Sequence, residues 1–399
     1  MEMQKVWGWM PPGLRRRASS LVEAASLMRQ VESPRVVLGM LPSVGRGLLL
    51  EQGRLGPGVE LLSTHVAHLC WSYDPDFAGL RALYRKAKES QWDSEQAIDW
   101  SRDVDPQSPE RPLLPLGFFD VPGLERLGVK LDAKEQRAFT HSVAAWMISQ
   151  FLHGEQAALL AAAQIVESLG WMDAKLFAAT QVVDEARHVE TFHRYLATKL
   201  TRLYVVNDNA FVIFDALLTD RRWDMKLLGM QIMGEGLALG AFGTLYRATR
   251  EPLLRELLGY VIRDEARHVS FGIVTLRAYL AQLSERERRE REDWCFEVAL
   301  LMRNRFLAHE VYQEWFEGRI SRRQWNALVD GSAGMREFRS QMFSRLVPTL
   351  RQIGLLSPRV HQHYERAGLS KYLEAAEQST ELSGDRVIEE LQATQPDFA

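Results

Sequence analysis

Cysteine is nearly absent, with Cys70 and Cys295 the only two among 399 residues. So sparse a supply excludes a disulfide-stapled fold and any cysteine-rich zinc or iron–sulfur site, and it fits a reducing compartment. Long hydrophobic runs are lacking as well. No stretch reaches the roughly 18 uninterrupted apolar residues of a membrane span, the longest being broken by glycine, proline or charge. A bias toward one sign of charge is also missing. The net charge is -3 with 25% charged residues, so nothing in the balance points to nucleic acid or a membrane surface. Trp7, Trp9 and the run Arg15-Arg16-Arg17 mark the N-terminus, but no apolar segment of secretory type follows, and a cytoplasmic location is expected. Flavin, nicotinamide and iron–sulfur motifs are absent. Metal chemistry, if present, has to be built from glutamate and histidine.

What the chain does have is a repeat. The string Asp-Glu-Ala-Arg-His-Val occurs at Asp184–Val189 and again, letter for letter, at Asp264–Val269. Each copy contains Glu-x-x-His, which on a helix places a carboxylate and an imidazole one turn apart on one face. One such pair usually belongs to a solvated face. Two pairs can be half of a dinuclear site if two more glutamates arrive from two other helices of a bundle.

The organisation around the repeat is helical. From residue 1 to about 131 the pattern is patchy and broken by Pro11-Pro12, Pro34, Pro42 and Pro57, which predicts short helices and loops. Trp71, Trp92, Trp100 and Phe118-Phe119 are expected to pack onto the main body. Residues 132–283 read as long Ala-, Leu- and Met-rich helices forming the functional domain. The first runs from Asp132 to Leu169 and stops at Gly170. The second runs from near Asp173 to Leu203, a short apolar segment covers Ala210 to Leu218, and the third spans Arg221 to Thr249. The fourth follows Glu251-Pro252 and continues to Leu283. Residues 284–399 are expected to add covering helices, with Glu285–Glu290 a solvated helix start and the tail beyond Ser379 partly disordered. The fold class is therefore all-α, a four-helix bundle with flanking helices.

Glu155 and Glu235 complete the pattern. Each follows a glycine in an apolar stretch, and each lies 30 residues before its repeat glutamate, Glu185 or Glu265, so the halves are offset by 80. About 15 residues lead to each turn and about 15 lead back, which sets both glutamates of a hairpin at one level. Glu155, Glu185, His188, Glu235, Glu265 and His268 can thus converge inside the bundle. An unpaired carboxylate buried there would cost several kcal/mol without a cation or proton, by order of magnitude. Asp184 and Asp264 suit the imidazole-orienting role, paired across the bundle as Asp184 with His268 and Asp264 with His188. Arg187 and Arg267 would balance those aspartates. His153 and His193 have no counterpart in the other half and read as ordinary histidines.

At these residues the sequence resembles the ferritin-like superfamily of di-iron carboxylate proteins, in its oxidase and oxygenase branch. That branch includes multicomponent monooxygenase hydroxylases, acyl-carrier desaturases, the ribonucleotide reductase small subunit and the p-aminobenzoate N-oxygenase group. The resemblance covers about 132–283. It implies that the six side chains hold two iron ions, or a manganese–iron pair, with Glu185 and Glu265 bridging and central to catalysis. It also implies activation of O₂ to hydroxylate, N-oxygenate or desaturate an organic substrate with electrons from a separate reductase or ferredoxin. Against those families Phe192 stands where a radical tyrosine would be, Leu239 where the hydroxylases have threonine, and Val261 where the N-oxygenases add a histidine. A ferritin-type metal-handling protein and a radical-generating subunit are the alternatives. Ala158, Ala162, Phe192, Leu239 and Phe242 are expected to line an apolar pocket for an aromatic or acyl substrate. Neither nucleic acid nor membrane is an expected partner, and a homodimer is a candidate assembly. Four glycines between Gly234 and Gly243 cost about 1 kcal/mol each relative to alanine, which predicts a distorted turn beside the metals or a cavity for substrate, or else close helix packing.

Overall fold

The computed structural model describes residues 11–75, 77–369, 372–373 and 383–393. Trp7 and Trp9 lie outside them. Every regular element among the described residues is helical, and no helix among them is long and apolar enough to cross a membrane.

Two short helices, α1 (Pro12–Met28) and α2 (Pro34–Val44), and a third, α3 (Ala78–Glu89), precede the bundle. The first bundle helix, α4, is Ala133–Ser168. Asp132 caps it by accepting from the Lys134 and Glu135 amides, while Glu135 reaches back to the Asp132 amide, a reciprocal box that satisfies exposed donors of the first turn. It ends because Leu169 turns extended. Gly170 is not in the left-handed region, so the expected glycine stop is replaced by an ordinary extended exit. Helix α5 is Met172–Tyr195. It continues as a π-helical turn, Leu196–Leu200, and closes on left-handed Thr201, φ 48°, three residues short of the expected Leu203.

Helix α6 (Asp208–Thr219), capped by Asn207, lies in the long connection to the third bundle element. That element comprises α7 (Trp223–Leu227), a seven-residue π segment (Leu228–Gly234) and α8 (Glu235–Ala248). The last bundle helix, α9, is Pro252–Leu280, with Pro252 in its first turn and the Glu251 carboxylate accepting from the Leu253 and Leu254 amides at 3.0 and 2.6 Å. Tyr195 donates to the same carboxylate at 2.8 Å, tying the end of α5 to the start of α9.

Aromatic layers fix the directions. Phe151, one turn before Glu155, meets Phe242 with centroids 4.7 Å apart, and Phe242 meets Phe192 at 5.7 Å. Phe192 follows His188 by one turn and Phe242 follows Glu235 by two. The α7–α8 element therefore runs parallel to α5 and antiparallel to α4, and the connection carrying α6 returns the chain to the other end. On the opposite side of the glutamates, Phe177 of α5 stacks on Phe271 of α9 at 4.5 Å.

The glycines divide the two tasks foreseen for them. Gly234 closes the π segment beside Glu235. A Cβ on Gly240 would meet the Gln341 carbonyl oxygen and Met342 Cα at 2.7 Å, so α8 touches α11 (Ala333–Gln352) backbone to backbone. The charged run forms the exposed start of α10 (Glu285–Arg305), capped by Ser284. The tail contains a helix, α12 (Gly384–Ala393), whose Gly384 lies against the Arg263 backbone of α9. One expectation needs correction. Trp71 is 77% exposed and is not part of the packed core, whereas Phe118 and Phe119 are buried.

Gly240→Ala should lose about 1–3 kcal/mol through collision with a backbone that cannot yield. Gly259→Ala, whose Cβ meets only ordinary contacts at 3.5 Å or more, should gain up to about 1 kcal/mol. Urea unfolding of the two variants checks the opposite signs.

Candidate metal centre

The six side chains named from spacing are brought together in the bundle interior. Glu155, Glu185, His188 and Glu265 form one group of potential ligands and Glu185, Glu235, Glu265 and His268 another, the ligand atoms of each lying within 4.8 Å of one another. Glu185 and Glu265 belong to both. His188 Nδ1 is 3.3 Å from Glu155 Oε2, 3.4 Å from Glu185 Oε2 and 3.2 Å from Glu265 Oε1. His268 Nδ1 is 3.2 Å from Glu185 Oε1 and 3.3 Å from Glu265 Oε2. Both imidazoles thus turn Nδ1 inward.

Their outer nitrogens meet the aspartates in the crossed arrangement. His188 Nε2 is 3.1 Å from Asp264 Oδ2 and His268 Nε2 is 3.3 Å from Asp184 Oδ2. Arg187 donates to Asp184 at 2.5 Å and to Asp264 at 3.1 Å. Arg267 donates to Asp264 and lies 3.6 Å from Asp184. Both guanidiniums are buried, so neither is a surface arginine. His153 Nε2 sits 2.9 Å from the Tyr204 carbonyl oxygen and His193 is exposed.

Four further residues join that were not predicted to belong to the site. Trp92 Nε1 donates to Asp264 Oδ2 at 2.8 Å and its ring lies 4.7 Å beneath the Arg187 guanidinium. Gln91 donates to Asp184 Oδ1 at 2.9 Å and accepts from Arg187 at 2.8 Å. Gln181 donates to Glu185 at 3.0 Å and accepts from Gln231 at 2.8 Å. A signal for the glutamines existed: each lies four residues before a glutamate of the set, Glu185 or Glu235, on the same helical face. Gln91 and Trp92, in a loop after α3, had no such signal.

Charge is the governing quantity. Six carboxylates, of Glu155, Asp184, Glu185, Glu235, Asp264 and Glu265, are at least 96% buried, and two buried guanidiniums face them. Fully ionised, this leaves four negative charges over, the charge of two divalent cations. Protons take up part of the excess when cations do not. Burial, reinforced by the charge of Glu265, pushes the Glu155 and Glu235 carboxyls well above the ordinary range. Glu265 is held well below it against its burial, by hydrogen bonding with Glu235 and the charge of His268. Against burial, the Glu265 and Glu185 carboxylates push His268 up to about 10, and His188 rises through its bonds to Asp264 and Glu155. Asp264 stays low because His188, Arg267 and Arg187 outweigh its burial. Glu185 Oε2 and Glu265 Oε1 remain buried without a hydrogen-bond donor. Orphaned oxygens, two inward imidazole nitrogens and surplus negative charge fit a pair of divalent ions.

A narrow cleft of about 50 Å³ opens beside Glu155 and Glu235. Ala158 and Phe242 line it, as do Gly154 and Gly234, the glycines that precede the two glutamates. Ala162, Phe192 and Leu239 are not among its walls; they are buried in the core.

No family model and no curated protein matches the chain. Among solved structures it is similar to variants of an R2-like ligand-binding oxidase with anaerobically reconstituted Mn/Fe cofactor. One shares 20% identity over 71% of this chain and 96% of that one, TM-score 0.45. Another shares 18% over 71% and 96%, TM-score 0.46. What the site can do follows from its own side chains.

The pKa directions set a sign for pH. A histidine raised on folding stabilises fully below its unfolded value, about 6.5, and loses that contribution as pH rises through about 10. The raised carboxyls of Glu155 and Glu235 act in the same direction, since ionising them in place costs more than ionising them unfolded. The chelator-treated protein should therefore lose thermal stability between pH 6.5 and about 10, followed by circular dichroism. Added divalent metal should flatten that fall.

Proposed function

We propose that this chain is a dinuclear carboxylate oxidoreductase of the ferritin-like superfamily, which activates O₂ to oxidise a small organic substrate with externally supplied electrons. The observation that supports it most directly is the pair of four-ligand groups sharing Glu185 and Glu265 in a pocket whose surplus charge matches two divalent ions. Glu155, Glu185, His188 and Glu265 would hold one ion, and Glu185, Glu235, Glu265 and His268 the other. Oxygen-rich donors with imidazole suit Fe(II) and Mn(II). The ions, once bound, would supply the redox chemistry with dioxygen.

The remaining work falls to the chain. Asp184 and Asp264 fix the tautomer and ring orientation of His268 and His188, keeping Nδ1 free to face inward. Gln181 donates to Glu185 and also lies within 3.4 Å of Glu235, steering both carboxylates. Phe151, Phe192 and Phe242 on one side and Phe177 with Phe271 on the other exclude water from the interior. The cleft beside Glu155 and Glu235 is the approach for substrate, and its walls are chiefly apolar. At about 50 Å³ it admits little more than one water, whose liquid volume is about 30 Å³, so an organic molecule would enter with movement of its walls. A separate electron donor is invoked because the chain carries no flavin, nicotinamide or iron–sulfur motif.

Anaerobic loading with Fe(II) or Mn(II), followed by metal analysis, should give two ions per chain. Glu185→Ala and Glu265→Ala should each lose both, while Glu155→Ala and Glu235→Ala should each retain one. Wild-type protein that binds none sinks the reading, and accumulation of many ions per chain would favour metal storage. Asp184→Asn should weaken loading by about 10–100-fold, read by competition with a chelator.

A further inference from the structure

One wall of the cleft comes from outside the bundle. Met302 and Arg305, in the last turn of α10, line it together with Glu155 and Glu235. Among the described residues that line the cleft, Arg305 is the one cation. Its Nε is buried and has no hydrogen-bond partner. No carboxylate of the described residues lies within ion-pair distance. Its guanidinium rests 4.6 Å from the centroid of the Phe306 ring, a weak attraction that leaves Nε without an acceptor. Burial alone lowers its pKa, to about 10, with no opposing charge.

Arg305 is only partly buried, and what separates it from Arg187 and Arg267, whose Nε atoms are also unbonded, is the absence of a carboxylate partner among the described residues. Arg187 and Arg267 meet Asp184 and Asp264, Arg291 meets Asp224 at 2.8 Å, and Arg54 meets Asp208 and Glu310. Gln150, the other long polar side chain of the cleft, is satisfied by the Asn207 amide at 2.8 Å and the Val205 carbonyl at 2.9 Å. An arginine fork stays charged and matches a planar carboxylate with two parallel hydrogen bonds. The rest of the cleft, formed by Phe151, Ala158, Met230 and Phe242, suits an apolar body.

From this we infer that Arg305 anchors the carboxylate head of the substrate, leaving the apolar part directed toward Glu155 and Glu235. The substrate class is thus a small, otherwise apolar organic acid. Arg305 sets specificity; it is not a metal ligand, and the helix that carries it belongs to the C-terminal extension, which acquires a role beyond covering the bundle. The inference rests on the oxidase reading above, because it takes the cleft to be the substrate's approach.

The test compares acids with their isosteric neutral amides on full-length, metal-loaded protein by titration calorimetry. The probes are benzoate against benzamide and hexanoate against hexanamide. Wild type should prefer at least one acid by about tenfold or more, the size expected of charge-assisted hydrogen bonds. Arg305→Met should abolish the preference and Arg305→Lys should keep part of it, with Arg305→Gln carried alongside in case the methionine variant fails to fold. Binding of none of the probes, equal affinity for acid and amide, or a preference that survives Arg305→Met overturns the assignment, the last because the metals would then be holding the acid. Metal content of the same samples separates the two readings. Two ions per chain without acid preference removes the Arg305 role alone, whereas acid preference in protein that takes up no metal removes the oxidase reading and leaves Arg305 a carboxylate-binding residue without a substrate role.

Discussion

An excess of buried negative charge is the constraint on which the rest of this structure depends. Glu155, Glu185, Glu235 and Glu265 sit inside four packed helices with 4% exposure or less. Desolvating one unpaired carboxylate costs several kcal/mol by order of magnitude, so four together are tolerable only with protons or cations among them. The protein has already used its own cations elsewhere: Arg187 and Arg267 are committed to Asp184 and Asp264, and those aspartates to the histidines. What remains is a cage of oxygens and two Nδ1 atoms for which protons are a poor substitute. Local stability, pH response and metal affinity are therefore one property seen three ways.

The helices are shaped to that cage. A π segment costs hydrogen-bond geometry and occurs often at functional sites; here it immediately precedes Glu235 and brings Gln231 to Gln181. A Cβ on Gly272 would lie 2.4 Å from Gln231 Cβ, so α9 can cross the π segment only because that position is glycine. Gly154 and Gly234 leave the cleft side of each glutamate open, and Gly240 lets α11 press against α8 from outside. Small residues thus do two separate things within a few turns, opening one face of the element and closing the other.

How much of this could be read from the chain depends on sequence separation. The two repeats, the matched glutamates and the level crossing follow from helical periodicity and equal arm lengths, so the convergence of the six side chains and their partners Asp184 and Asp264 was legible. Helix bodies were legible for the same reason, while their ends were not: Leu169 and Thr201 stop their helices by individual backbone torsions that composition does not encode. Trp92 looked like any packing tryptophan, since its bond to Asp264 spans 172 residues and depends on how a loop is laid over the bundle. Of the five residues named for a pocket, the cleft takes two. Ala158 and Phe242 line the cleft, whereas Ala162 and Leu239, one turn away on the same helix faces, and Phe192 are buried in the core, so the level along the helix decided between the two outcomes.

The sequence by itself determined an all-helical chain with two hairpins and the meeting of four glutamates and two histidines, because each of those rests on a period or a count along one helix. Tertiary structure alone decided that Gln91 and Trp92 would close the aspartate network, that Gly240 would seat α11, and that Arg305 would stand unpaired in the wall of the cleft. Those outcomes depend on how segments remote in the chain approach one another, and burial and pairing across such distances are set by packing, which no local pattern records.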